Sequence, residues 1–211
     1  MSFLSIDRDL ARDSYYAATA QRGPGFPSLT GAVDCDVAIV GGGLAGLSAA
    51  LELASQGFKV TLLEAKQVAW GASGRNGGQA IHGLACDQET IEAQLGLEDA
   101  KRIWAMSLEA IDLIRQRIST HQIDCDWRDG YLGLATSPSK AKDLHAWADR
   151  MAGVYGAQFT RIAPNETQRW IDSPRYAGGI HDPHSGHLHP LKYSLGIAAA
   201  DLSTGELRLV Q

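Results

Sequence analysis

The sequence lacks the features by which several classes of protein are recognised. It contains no run of lysine or arginine and its formal net charge is −5, so neither a nucleic acid nor an anionic membrane is an expected partner. Its three cysteines, Cys35, Cys86 and Cys125, are scattered and form no CxxC pair. This pattern indicates free thiols in a reducing compartment and provides no framework for a metal.

The sequence also lacks a segment suited to membrane insertion. The N-terminal stretch "MSFLSIDRDLARDSYY" carries acidic residues where a signal peptide has a positive start followed by an apolar run. The most apolar stretch, from Val37 to Ala54, is interrupted by three adjacent glycines and carries a charge at Glu52. A membrane-spanning helix needs about 20 apolar residues without such a break. We therefore predict a buried strand followed by a helix, in a cytoplasmic protein.

A strand, a helix and a second strand are predicted in succession from Asp36. "DVAIV" is a continuous apolar run rich in β-branched residues, and "KVTLLEA" is a second strand that ends in Glu64. Between them, apolar residues recur at helical spacing, at Leu44, Leu47, Leu51 and Ala54. This order predicts a βαβ unit with two parallel strands, as in a Rossmann-like α/β fold.

The turn between the first strand and the helix contains a G-x-G-x-x-G motif, "GGGLAG", from Gly41 to Gly46. In this context Gly41 permits the tight turn, Gly43 lets a diphosphate approach the backbone, and Gly46 lets the helix pack against the strand. The N–H groups at the helix start bind phosphate oxygens, and Glu64 accepts hydrogen bonds from ribose hydroxyls. A glycine turn without a ligand is the alternative, but the order of strand, turn, helix and acid favours a dinucleotide.

A second glycine-rich segment, "WGASGRNGGQ" from Trp70 to Gln79, follows Glu64. A backbone with so little side-chain bulk can lie flat against a large planar ligand and donate N–H groups to it. Ser73 and Asn76 are candidates to bind phosphate or ribitol oxygens, and Arg75 is a candidate to pair with the diphosphate or with a reduced flavin. A flexible surface loop is the alternative. Because the segment comes directly after the nucleotide-binding acid, it favours FAD over NAD.

These motifs resemble those of the D-amino-acid oxidase-like family of FAD-dependent oxidoreductases. The resemblance is carried by "DVAIVGGGLAGLSAALELASQGFKVTLLEA" and "GASGRNGGQ", and it extends over nearly the whole chain through "SYYAA", "QIDCDWR" and "SGHLHPLKY". These last segments are similar to the branch of γ-glutamylputrescine oxidoreductases. The resemblance implies a non-covalently bound FAD. The residues implied in FAD binding are Gly41, Gly43, Leu44, Ala45, Gly46, Glu64, Ser73, Arg75, Asn76, Gly77, Gly78 and Gln79.

The resemblance also implies a reaction, the oxidation of a carbon–nitrogen bond of a small-molecule amine. The expected substrate is γ-glutamylputrescine, in putrescine catabolism. A hydride passes from the carbon beside the neutral amine to the flavin, the imine hydrolyses, and the electrons pass to oxygen or another acceptor. No acid–base pair is demanded, so the catalytic residues stay unknown. Another amine or amino acid as substrate, or a fragment that binds FAD without catalysis, are the alternatives.

The implied architecture is an α/β fold with a Rossmann-like FAD-binding domain and the beginning of an interleaved α+β substrate domain. Residues 34–120 and 189–211 are expected to form the FAD-binding domain, residues 121–188 a portion of the substrate domain, and residues 1–33 an N-terminal extension. Relatives in the family are longer, and the strands counted here are too few for a sheet of this kind. We therefore expect the chain to be the front part of a longer protein.

Further elements are predicted along the rest of the chain. Helices are expected from Leu97 to His121, from Pro138 to Gly156 and over "PLKYSLGIAAADLS", and a strand over "ELRLVQ". "YAGGIHDPHSGHLHP" is expected to form short strands broken by turns. The apolar face of the first of these helices is predicted to comprise Ile103, Met106, Ala110, Ile114 and Ile118.

Several conspicuous side chains receive structural interpretations. His181, His184, His187 and His189 are expected at the mouth of the substrate pocket or on the surface, in preference to a metal site. Covalent attachment of the flavin to His82 is not favoured, because "QAIHG" matches such relatives poorly. Trp104 and Trp147 are expected to pack in the protein interior, and Cys125 to be a buried thiol.

Overall fold

The computed structural model describes residues 14–203 and 207–210. Helices in these ranges are α1 Tyr15–Thr19, α2 Leu44–Ser55, α3 Gln88–Leu95, α4 Leu97–Thr120, α5 Pro138–Tyr155, α6 Thr167–Trp170 and α7 Pro190–Ser203. Strands are β1 Val37–Val40, β2 Val60–Leu63, β3 Gln79–Ala80, β4 Arg128–Ala135, β5 Thr160–Ile162, β6 Gly178–His187 and β7 Leu207–Val210. The mixed α/β class predicted from the sequence is confirmed.

The chain forms two compact units. Among the described residues, the first comprises 14–78, Arg115–Trp127 and those from Leu188 onward, and the second comprises Gln79–Ile114 and Arg128–His187. These boundaries differ from the predicted ranges, since residues 79–114 fall in the second unit and residues 121–127 in the first. Which unit carries which function stays a prediction. Residues 1–13 of the predicted extension lie outside the described residues.

The first unit is built on a parallel sheet with the strand order β1-β2-β7. β2 is the central strand, and its Leu62 is fully buried. Helix α2 buries Leu47 and Leu51 on the face predicted from their spacing. β7 pairs in register with β2 along its whole length, so the predicted last strand has a neighbour. The predicted β1, α2, β2 and α7 are confirmed.

The second unit is built on an antiparallel sheet in which β6 is central. β4 pairs with one edge of β6, while β3 and β5 pair with different stretches of it. The prediction of short strands broken by turns was wrong, because β6 is continuous from Gly178 to His187. Pro183 is accommodated because the β4–β6 register shifts between Asp129 and Tyr131, and a bulge is a position where a strand tolerates proline.

For two long helices, the observed bounds and buried face can be compared with those predicted from the sequence. Helix α5 begins after Ser137, whose hydroxyl accepts from the N–H of Lys140 at 3.3 Å, and ends at Gly156 in the left-handed conformation. The bounds predicted for it are confirmed. For α4 the predicted apolar face was wrong in part, since Met106 is 62% exposed and Trp104 and Ile111 are buried.

Among the described residues, no helix combines the length and the apolar character that crossing a membrane would require.

Truncation of the central strand provides a test of this core. We expect Leu62→Ala to lower the free energy of unfolding by about 2–5 kcal/mol, because the deleted atoms leave a cavity in a close-packed interior. The matched change Leu95→Ala, at a side chain exposed at the end of α3, should cost less than about 1 kcal/mol. Urea denaturation followed by circular dichroism measures both, and equal losses would contradict the assignment of Leu62 to the core.

The buried thiol of Cys125 provides a second test. Cys125 is 1% exposed, and burial, reinforced by the charges of Asp126 and Asp124, raises its pKa to about 11. Since only a thiolate reacts readily, we expect Cys125 to stay unmodified by a disulfide reagent at pH 8, whereas the exposed Cys86 reacts. Mass spectrometry of the modified native chain locates the label. Cys86→Ala should remove a rapidly reacting thiol, and Cys125→Ala should not.

Candidate functional site

The residues around the start of helix α2 leave space and hydrogen-bond donors for an anion. Gly43 caps the helix in an extended conformation without a side chain to occupy the space. The N–H of Leu44 donates to the Ser73 hydroxyl at 2.9 Å. The N–H groups of Ala45 and Gly46 belong to the first turn and have no hydrogen-bond partner among the described residues. Unpaired first-turn amides with the positive end of a helix dipole are a suitable site for a phosphate group.

The three glycines of the motif are favoured for different reasons, one by its backbone conformation and two by close contacts. Gly41 has φ +106°, a conformation that side chains disfavour. A Cβ on Gly46 would lie 2.0 Å from the carbonyl oxygen of Gly41, and a Cβ on Gly43 would lie 2.9 Å from the Ser73 hydroxyl oxygen. The turn and the helix therefore approach as the sequence predicted, and Ser73 comes to the same place from a later segment.

Glu64 follows β2 directly and is held by two backbone groups. Its Oε2 accepts from the N–H of Gly42 at 2.7 Å, and its Oε1 accepts from the N–H of Lys66 at 2.8 Å. These bonds fix the carboxylate beside the glycine turn. Because a carboxylate offers about four acceptor positions, two remain for further donors such as the two hydroxyls of a ribose.

The glycine-rich ribbon, Gly71 to Gly78, holds itself together mainly through Asn76. Its amide nitrogen donates to the carbonyl oxygens of Ala72 and Ser73 at 3.2 and 3.0 Å, and its Oδ1 accepts from the N–H of Gly78 at 2.8 Å. The predicted contact of Asn76 with a ligand stays a prediction. Within the described residues, its side chain shapes the ribbon that carries Ser73 to the helix start.

Part of the ribbon is bare because protein backbone lies against it. A Cβ on Gly74 would lie 2.3 Å from the carbonyl oxygen of Ala69, and one on Gly78 would lie 2.1 Å from that of Leu188. Around Gly71, in contrast, no atom lies within 4 Å of the Cβ position. The sequence predicts a planar ligand at this ribbon, with a flexible loop as the alternative, and carries no sign of these two packing requirements.

A group of positive side chains gathers around Trp70. The guanidinium of Arg75 lies over the Trp70 ring at 5.3 Å from its centroid, and the Lys66 ammonium lies at the same distance. Arg22 donates to the carbonyl oxygen of Val68 at 2.7 Å. Burial, followed by repulsion from Arg75, lowers the pKa of Arg22, which indicates that the two guanidinium groups are close. Sequence reasoning missed Arg22, because nothing in "QRGPGFP" links it to the motif.

The two remaining predicted site residues, Gly77 and Gln79, belong to different units. Gly77 is exposed. Gln79 is also exposed and begins β3, opposite His187, in the second unit. Their predicted roles with FAD are not tested by these contacts.

The clustered histidines do not share one environment. His189 is buried in the first unit, where its Nε2 lies 2.9 Å from the Thr19 hydroxyl and its Nδ1 accepts from the N–H of Lys192. It is therefore not a surface residue. In the second unit, His181 stacks on Trp170 and His187 is exposed.

The hydrogen-bond donors and acceptors around the α2 start in the first unit match those of an adenine dinucleotide. The cradle at the helix start has no room for a Cβ at Gly46, and the amides of Ala45 and Gly46 lack protein partners among the described residues. Glu64 is fixed nearby with spare acceptor capacity. These donors and acceptors match a diphosphate and a ribose, so the residues present fit FAD.

Comparison with known proteins gives consistent matches. A family model described as "FAD dependent oxidoreductase" (DAO) matches residues 36–205. "Probable oxidoreductase OrdL" of Haemophilus influenzae is 42% identical over 193 residues, which are 91% of this chain and 45% of the relative. Gamma-glutamylputrescine oxidoreductase of Escherichia coli is 40% identical over 187 residues, 89% of this chain and 44% of the relative. The chain thus spans less than half the length of these curated relatives.

A solved structure shares the fold. L-Amino acid deaminase from Proteus myxofaciens superposes with a TM-score of 0.70 at 21% identity, over 90% of this chain and 41% of that chain.

A pair of glycine substitutions tests the site. We expect Gly46→Ala to weaken FAD binding and to destabilise the first unit by about 1–3 kcal/mol, because the added methyl group meets the Gly41 carbonyl oxygen. Gly153→Ala adds the same methyl group in open space on the exposed side of α5, and should neither weaken FAD binding nor destabilise the chain. Quenching of flavin fluorescence and urea denaturation measure the two effects. Equal tolerance of both substitutions is the outcome that contradicts the proposed close approach.

Proposed function

Because the chain belongs to the DAO family of FAD-dependent oxidoreductases, we propose that it takes part in the oxidation of a carbon–nitrogen bond of an amine. The observation that carries this proposal is the meeting of three elements in the first unit. The start of α2, the carboxylate of Glu64 and the hydroxyl of Ser73 converge from separate parts of the sequence. We assign FAD to the first unit and substrate recognition to the second.

The residues that would hold FAD follow from the donors and acceptors present. The amides of Ala45 and Gly46 would donate to the diphosphate, and the Ser73 hydroxyl, which accepts from Leu44, keeps its proton to donate there as well. Glu64 would accept from the ribose hydroxyls. The positive charge of Arg75 favours the anionic part of the cofactor.

When bound, the flavin would supply an acceptor for the two electrons removed from the carbon–nitrogen bond. The task of the protein is then to orient the amine, keep it neutral and exclude water. We assign no acid or base to a residue of this chain. Oxygen or another small acceptor would take up the electrons afterwards.

We propose γ-glutamylputrescine as the substrate. Support comes from the 40% identity to gamma-glutamylputrescine oxidoreductase of Escherichia coli, together with the segments "QIDCDWR" and "SGHLHPLKY".

FAD uptake and its dependence on Glu64 test the proposal. We expect the purified chain to take up FAD with the yellow two-band absorbance of a flavoprotein. Glu64→Gln should weaken binding at least about tenfold, or about 1.4 kcal/mol, because the amide replaces one acceptor oxygen by a donor that faces a backbone N–H. Glu98→Gln, on the exposed surface of α4, removes the same charge and should leave the affinity unchanged. A chain that takes up no FAD, or loses it equally in both variants, would overturn the assignment.

A panel of amines then tests the substrate. Anaerobic addition of γ-glutamylputrescine to the FAD-loaded protein should bleach the flavin, whereas sarcosine and D-alanine should not. Bleaching by one of those two alone would replace the proposed substrate. FAD binding without bleaching by any amine would leave this chain as a nucleotide-binding unit.

A further inference from the structure

The second unit contains a cavity of about 340 Å³ with aromatic walls. The aromatic side chains in its lining are Trp104 on α4, Tyr131 on β4, Trp147 on α5, and Phe159 in the loop ahead of β5. Trp147 and Phe159 are neighbours, with ring centroids 5.2 Å apart. The volume suits a small organic molecule.

This cavity is lined by two carboxylates and by one imidazole, that of His82. Asp87 and Asp182 contribute carboxylates, and no lysine or arginine is among the lining residues described. Asp182 is 3% exposed. Its Oδ1 accepts from the N–H of His184 at 2.9 Å, and its Oδ2 lies 2.9 Å from Nε2 of His82.

One buried polar atom at this cavity has no partner among the described residues, and two others face each other. The unpartnered atom is Nε1 of Trp104. Nε2 of His82 and Oδ2 of Asp182 lie at ion-pair distance, 2.9 Å apart. Because buried polar groups in proteins nearly always have partners, the Trp104 N–H indicates a bound ligand or water that accepts a hydrogen bond.

The carboxylate is ionised at neutral pH. Burial alone raises the pKa of Asp182, but interactions with the His82 ring, the Ser185 hydroxyl and the His184 N–H together lower it to about 2. The cavity therefore contains an ionised carboxylate that interacts with His82 and keeps further acceptor capacity. The two carboxylates and the aromatic rings of the lining both favour a cation, since ring faces attract positive charge as well.

We propose that this cavity binds a small organic ammonium ion, with the positive group at Asp182 and the alkyl chain against Trp104, Trp147 and Phe159. The inference deepens the proposed amine oxidation, on which it rests for the identity of the biological ligand. It gives His82 and Asp182 a role in recognition. No local signal in the sequence points to Asp182, because the pattern around it indicates turns.

Calorimetric titration of the FAD-free chain with butylammonium tests the proposal. 1-Butanol and butyrate serve as matched neutral and anionic probes of similar size. We expect saturable binding of butylammonium, at least about tenfold tighter than either matched probe. Asp182→Asn should weaken it at least about tenfold, and Trp147→Leu should weaken it as well. Asp143→Asn, at an exposed position on α5, makes the same charge change outside the cavity lining and should bind as the unchanged chain does.

Each outcome of these titrations has a defined meaning. Equal binding of butylammonium and 1-butanol shows an apolar cavity only, and no binding of any probe shows a cavity filled by water; either result overturns the proposal. If Asp182→Asn does not fold, as judged by circular dichroism, the selectivity of the unchanged chain and the Trp147→Leu variant decide. Since no flavin is present, failure here is distinguishable from failure of FAD uptake, which concerns the first unit alone.

Discussion

The candidate site of the first unit depends on one close backbone approach, that of the α2 start to the end of β1. At Gly46 there is no room for even a methyl group beside the Gly41 carbonyl. This contact fixes where the first-turn amides lie. It also brings the Gly42 N–H to Glu64 and the Leu44 N–H to Ser73. A residue with a side chain at this point would move these first-turn amides and their neighbours together.

The two units hold a carboxylate in different surroundings. In the first, the Glu64 carboxylate is only partly buried and is held by backbone amides beside a helix start, an arrangement that suits a polar ligand with several hydroxyl groups. In the second, Asp182 is almost completely buried among aromatic rings. A buried carboxylate is costly unless it is paired. The His184 N–H and the His82 ring pair with Asp182, and an ammonium ligand would use the acceptor capacity that remains. The contrast is consistent with one unit for a nucleotide and the other for an amine.

The sequence predicted the βαβ unit, α5 and α7, because each has strong local signals, such as the glycine turn and the left-handed Gly156. It failed where tertiary pairing outweighed local preference. β6 continues through Pro183 because the bulge in its pairing with β4 lies there, so no backbone N–H has to be donated to β4 at this residue. The exposed Met106 fitted the helical period as well as the buried Ile111, since periodicity alone does not choose between adjacent faces of a long helix. The proximity of His82 to Asp182 follows from the sheet and was not visible in the sequence.

The glycine-rich ribbon has an evolutionary consequence. Gly74 and Gly78 are confined by the backbone of Ala69 and Leu188, so selection for a stable fold alone is enough to retain them. A descendant that had lost its cofactor would keep this pair while Glu64 and Ser73 drifted. In a comparison of homologues, the acid and the serine are therefore more informative about retained chemistry than the glycines that make the ribbon conspicuous.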